Sequence, residues 1–130
     1  MATWPKAITT WVIGKTLYIS VPFTWLLPEA RKLAEAHHGR GPVVAGGPAV
    51  ALLPEALAGV AHLDQESPVP PLAVVNPLAT FTTRGCPNRC GFCAVPRLEG
   101  DFRELTTWEP RPIICDNNLL AASRIHFDRV

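Results

Sequence analysis

No apolar run in the sequence approaches the roughly 20 residues that a membrane-spanning helix needs. The first residues, Met1-Ala2-Thr3-Trp4-Pro5-Lys6, lack a charged segment followed by an apolar one, so no secretory signal is read there. Neither sign of charge dominates. Twelve Lys and Arg against eleven Asp and Glu leave a formal net charge of +1, which excludes a strongly basic docking surface. Internal repeats and low-complexity tracts are missing as well. The tryptophans Trp4, Trp11, Trp25 and Trp108 are too scattered for a base-stacking platform and read as core or rim. These absences leave an expectation of a cytoplasmic globular protein with no membrane partner and no evident nucleic-acid surface.

With 48% hydrophobic and 18% charged residues, the 130-residue chain has enough apolar material for one core or parts of two. Thr16-Leu17-Tyr18-Ile19-Ser20-Val21 alternates apolar and polar positions, the period of a strand with one buried face. Pro22-Phe23-Thr24-Trp25 reads as a turn. From Leu26 to His38 the period changes, with Leu26, Ala30, Leu33, Ala34 and His37 on one helical face; Pro28 suits the first turn and Gly39 the end. Val43-Val44-Ala45, followed by Gly46-Gly47-Pro48, reads as a buried strand entering a tight loop, and a brief helix is expected over Pro54–Val60.

Strand, helix, strand and glycine loop form a small Rossmann-like βαβ region, so the fold class is α/β. The proline-dense stretch Asp64–Pro71 reads as a connector, giving domains at 1–71 and 72–130. In the second, strands are expected at Leu72–Val75, Ala79–Thr83 and Pro112–Cys115. Helices are expected within Phe102–Trp108 and over Leu119–Val130.

Three of the four cysteines fall within eight residues, as Cys86-x3-Cys90-x2-Cys93. Clustered thiols without a secretory signal favour a metal over disulfides in a reducing cytosol. Interspersed Gly and Pro let such a loop curl around one centre. Cys115 lies 22 residues beyond Cys93, alone in an apolar strand. It reads as a buried hydrophobe before it reads as a fourth ligand. A centre held by three thiolates keeps a position open, as catalytic metal sites do, whereas structural sites are closed by four ligands. The rival readings of the same cysteines are a non-catalytic zinc-binding module using all four, an iron–sulfur redox or electron-transfer protein, and incidental thiols.

C-x3-C-x2-C with an aromatic, Phe92, just before the third cysteine resembles the signature of the radical S-adenosyl-L-methionine (radical SAM) superfamily. The resemblance implies an enzyme with a partial (β/α)6 barrel, of which 72–130 would be the first one or two βα units. It implies a 4Fe-4S iron–sulfur cluster on Cys86, Cys90 and Cys93, with the fourth iron chelating S-adenosylmethionine. An electron from a donor such as flavodoxin or ferredoxin would split that cofactor into methionine and a 5′-deoxyadenosyl radical, which takes hydrogen from a substrate the residues do not identify.

Phe92 would lie near the adenine. Asp116, Asn117 and Asn118, at the end of the second barrel strand, would sit beside the methionyl group. Asp-Asn-Asn stands where many members carry a Gly-Gly-Glu-like stretch. More weakly, Val43–Pro48 resembles part of a cobalamin-binding domain, as in members with such a leading region. Its Asp-x-His-x-x-Gly ligand motif is missing, and cobalamin is not expected. "LYISVPFTW" and "IICDNNLLAA" are similar to the start of a group of such proteins. Because the family barrel has six units and this chain holds at most two, Val130 is expected to mark a truncation.

Other polar residues have plainer readings. Gly46-Gly47 reads as a tight turn before it reads as a phosphate loop. His37 and His38 read as solvated at a helix end, and His62 and His126 have no partner at ligand spacing. Arg84, Arg89 and Arg97 either steer an anionic cofactor or are solvated. Asp116 either serves the site or caps the following helix.

Overall fold

The computed structural model describes Trp4 and residues 6–130; the readings made of Met1, Ala2, Thr3 and Pro5 lie outside the described residues. The chain is a mixed α/β protein that divides into two compact units, Met1–Val75 and Asn76–Val130. None of the described helices is long and apolar enough to cross a membrane.

The first unit is built on a three-stranded sheet. β1 (Thr9–Ile13) and β2 (Thr16–Ser20) form an antiparallel hairpin around Gly14-Lys15, with Trp11 opposite Tyr18. The chain leaves β2 through a 3-10 turn at Thr24–Leu26. It then forms α1 (Leu27–Ala36) and returns as β3 (Val43–Gly46), which runs parallel to β2 with Leu17 opposite Val43. This is a βαβ unit. α1 buries Leu27, Ala30 and Ala34, spaced by three and four residues, against Ile19, Val21, Val43 and Ala45 of the sheet. Val21 and Leu57 are completely buried there.

β3 passes directly into α2 (Pro48–Leu52) through Gly47. A side chain at Gly47 would meet the Val21 backbone at 2.7 Å, and its φ of +99° lies where L residues are strained, so the second glycine is required for packing. The brief helix expected after Pro54 is a 3-10 turn, Pro54–Leu57. α3 (Pro71–Val75) replaces the strand expected at Leu72–Val75. Proline is pre-organised for a first helical turn, and that start prevails over the strand preference of Val74 and Val75.

The second unit carries two small sheets. β4 (Ala79–Thr80) pairs in parallel with β7 (Ile113–Ile114), and β5 (Thr83–Arg84) pairs antiparallel with β6 (Arg103–Glu104). One strand was expected over Ala79–Thr83. It is divided at Phe81-Thr82 because the Thr82 and Thr83 N–H groups donate to the Asp116 carboxylate and not to a neighbouring strand. The helix expected within Phe102–Trp108 is absent; β6 occupies its start, held by the Leu105 N–H on the Thr82 carbonyl.

α4 (Val95–Glu99) follows the cysteines. The last segment is not one helix. It is a 3-10 turn at Leu119–Ala121, then α5 (Arg124–Phe127). Ala122 and Ser123 between them are extended, because the Ser123 hydroxyl caps α5 by accepting from the His126 N–H.

Candidate functional site

The cysteine loop runs from the end of β5 to the start of α4, and its stem is tied on both sides. Gly85 N–H donates to Glu99 Oε2 at 2.8 Å, and the Arg84 guanidinium lies 3.3 Å from the other oxygen of that carboxylate. Arg84 also stacks over the Phe81 ring at 3.9 Å. The last residue of α4 thus returns to the residue just before Cys86. Gly85 has φ +74°, and a Cβ there would stand 2.5 Å from the Asp101 carbonyl oxygen, so the tight entry admits no side chain.

Cys86 and Cys93 are half-buried and Cys90 is exposed; all four cysteines are free thiols. The Cys93 N–H donates to the Cys90 carbonyl at 3.0 Å, which closes a turn over Gly91 and Phe92. The Phe92 ring stands 96% exposed at its tip. Among the described residues, no three His, Cys, Asp or Glu side chains are gathered into a group able to hold a metal ion. What the loop offers is donor chemistry and not a formed site: three free thiols, the ligand type that iron–sulfur clusters use, on one segment whose stem is fixed.

The end of β7 brings two of the other expected residues to this loop. Asp116 is the hub. It accepts from Thr82 N–H at 2.7 Å, from the Thr82 hydroxyl at 2.5 Å and from Thr83 N–H at 3.0 Å. Its carboxylate therefore organises the corner before the cysteines. Two residues on, Asn118 Nδ2 approaches Cys86 Sγ at 3.5 Å. Asn117 is exposed, with no side-chain hydrogen bond among the described residues. Cys115 donates its N–H to the Thr80 carbonyl as part of the strand pair. Burial, and then the neighbouring Asp116 charge, push its thiol above the ordinary cysteine range.

No family model, curated protein or solved structure matches the chain.

One arrangement escapes sequence reading. His126, which has no ligand-spaced partner in sequence, is buried at 2% exposure against the Trp108 ring. Its Nε2 lies 3.2 Å from Thr82 Oγ1, and its Nδ1 lies 3.8 Å from Glu104 Oε2. Thr82 has one hydroxyl proton and directs it to Asp116, so His126 Nε2 is the donor in that contact. Hydroxyl, imidazole and carboxylate stand in the order of a hydrolytic triad, but Thr82 is fully buried and its proton is already committed. The trio is a structural strut. The only local signal for it is Ser123-x-x-His126, the cap that starts α5.

Two further charged contacts of this unit are local. Arg89 pairs with Asp101 on the surface at 2.5 Å, a contact of little energetic weight in water. Glu104 accepts from the backbone and hydroxyl of Ser123, which hold its carboxyl below the usual range. In the first unit, a cavity of about 420 Å³ lies over Trp11 and Tyr18, bounded by Gln65–Ser67 and Pro70-Pro71. At its rim the Ser67 hydroxyl oxygen accepts from Trp11 Nε1 at 3.2 Å and from the Val69 N–H at 3.2 Å.

Proposed function

We propose that the chain carries the cluster-binding loop of a radical SAM enzyme and that Cys86, Cys90 and Cys93 hold a 4Fe-4S cluster. The observation that carries the reading is the loop itself: three free thiols in C-x3-C-x2-C spacing on one surface segment whose entry is fixed by Gly85 and Glu99. The parallel pair of β4 and β7 supports the finer fold reading, a small βαβ region followed by the opening of a partial (β/α)6 barrel. In such a barrel the residues after neighbouring strands share one end, and here Asp116 after β7 accepts from Thr82 after β4, while Asn118 reaches Cys86 in the loop beyond β5.

When bound, the cluster supplies the electron that cleaves S-adenosylmethionine, drawn from a cytoplasmic donor such as flavodoxin or ferredoxin. The chain's own residues do the rest. Asp116 fixes the corner at Thr82 and Thr83, so the first thiol is presented from a rigid stem. Asn117, exposed beside it, has an amide free for the polar end of the cofactor. Phe92 offers a bare ring for an adenine face. The substrate is left open, because nothing in the loop selects one.

Anaerobic reconstitution with iron and sulfide tests this. A brown protein is expected, with visible absorbance that bleaches on dithionite and an electron paramagnetic resonance signal that changes when S-adenosylmethionine is added. Cys115→Ser should retain the cluster. A colourless protein that binds one zinc through four thiolates, and loses it in Cys115→Ser, would overturn the proposal. A cluster indifferent to S-adenosylmethionine would point to electron transfer or redox sensing.

A further inference from the structure

We infer that the cavity on the open face of the first unit's sheet binds a small organic cation, with a quaternary ammonium as the head group that fits it. The site lies wholly within the first unit and shares no residue with the cysteine loop.

The period of the sheet creates the space. Ile19, Val43 and Ala45 pack in the core with α1, so the residues alternating with them, Tyr18, Ser20, Val44 and Gly46, share the opposite face. Trp11, paired with Tyr18, adds its ring to that face. The two rings stack with centroids 5.6 Å apart and planes 10° from parallel. Toward the strand ends the side chains shrink, from Tyr18 to Ser20 in β2 and from Val44 to Gly46 in β3, and Ser20 lies opposite Gly46. The step leaves the cavity of about 420 Å³, within the range of small-ligand pockets.

Gly46 has no packing reason to be glycine. Gly47 needs its positive φ, whereas Gly46 has none, and a Cβ at Gly46 would meet nothing within 4 Å. Glycine inside a strand costs stability, and it often marks a place where a ligand approaches the backbone. The lining also selects charge. Glu66 is the one charged residue on it, and its carboxylate has no ion-pair partner among the described residues. No Lys, Arg or His lines the cavity, so nothing there balances a phosphate or a carboxylate. The electron-rich faces of two aromatic rings and a carboxylate favour a cation instead. Trp11 is set in advance, because its Nε1–H donates to Ser67 Oγ at 3.2 Å and ties the ring to the connector. A quaternary ammonium suits such walls: it asks for no acceptor and offers apolar methyl groups to the rings and to Pro70 and Pro71.

The test is a titration of choline into the isotope-labelled full chain, followed by NMR at the Gly46 amide and the Trp11 indole N–H. Its neutral isostere dimethylbutanol, with carbon in place of nitrogen, is titrated in parallel. Both signals should shift saturably with choline, and the isostere should bind about tenfold more weakly. Glu66→Gln, at an exposed position, should weaken choline about threefold and leave the isostere unchanged. Gly46→Leu places a side chain in the open space and should abolish the choline shift at the Trp11 indole, with no loss of stability in urea melts. Should that variant fail to fold, the ratio of choline to isostere and the Glu66→Gln effect decide the matter between them. No saturable shift with choline, equal affinity for the isostere, or full choline binding by folded Gly46→Leu would overturn the inference.

Discussion

Replacing Asp116 by Asn tests the hub from which the loop entry is built. The carboxylate accepts three hydrogen bonds from Thr82 and Thr83, both of which are fully buried. Asn keeps one acceptor oxygen, which serves Thr82 N–H. Its NH₂ then meets the Thr82 hydroxyl, which can turn and accept, and the Thr83 N–H, which cannot. One buried N–H is left without a partner, at a cost of about 1–3 kcal/mol. Each 1.4 kcal/mol is a factor of ten, so opening at Thr83 should become roughly ten to a hundred times more frequent. Amide hydrogen exchange resolved by residue measures this, with Thr83 accelerated by that factor and Ile19 of the first unit as an internal control. Exchange at Thr83 within twofold of wild type would refute the claim that Asp116 holds the corner.

Three further perturbations have definite outcomes. Gly85→Ala combines a positive φ with a Cβ 2.5 Å from the Asp101 oxygen, and should destabilise the second unit by about 2 kcal/mol or more in urea melts. Glu104 has its carboxyl lowered by the two bonds from Ser123, so the stability it lends is complete above the ordinary glutamate range and fades as pH falls through its lower folded value. Its carboxyl resonance should titrate below that of a model glutamate, and Ser123→Ala, which removes the hydroxyl donor but keeps the backbone N–H, should bring it only part of the way back. Cys115, raised by burial, stays a thiol at pH values where an exposed cysteine ionises. Iodoacetamide followed by peptide mapping should therefore find Cys90 modified first and Cys115 last.

The first unit was the more legible of the two. β2, α1 and β3 each announce themselves by period because each buries one face, and the boundaries fall near the expected ones. β1 escaped because Trp11, Val12 and Ile13 run together without alternation, as suits an edge strand whose Val12 is 57% exposed.

The second unit is held by polar contacts between residues tens of positions apart, which no local period encodes. Asp116 reaches back 34 residues to Thr82, and His126 reaches back 44. Those two contacts explain why one expected strand became two short ones and why a histidine without a sequence neighbour is among the most buried side chains. The cysteine spacing was visible from the outset. The amide placed on one of those sulfurs was visible only in the fold.

Phe92 carries a thermodynamic consequence. A phenylalanine with 96% of its surface in water, at the tip of a loop, is apolar area that the chain has not buried. Covering it is worth about 1.5–3 kcal/mol, close to the affinity difference between a weak and a useful ligand. Whatever molecule closes over that ring will show a negative change in heat capacity, so its binding enthalpy will become more favourable as the temperature rises. Calorimetry at several temperatures would therefore report contact at the tip of the turn even for a ligand that leaves no spectral trace.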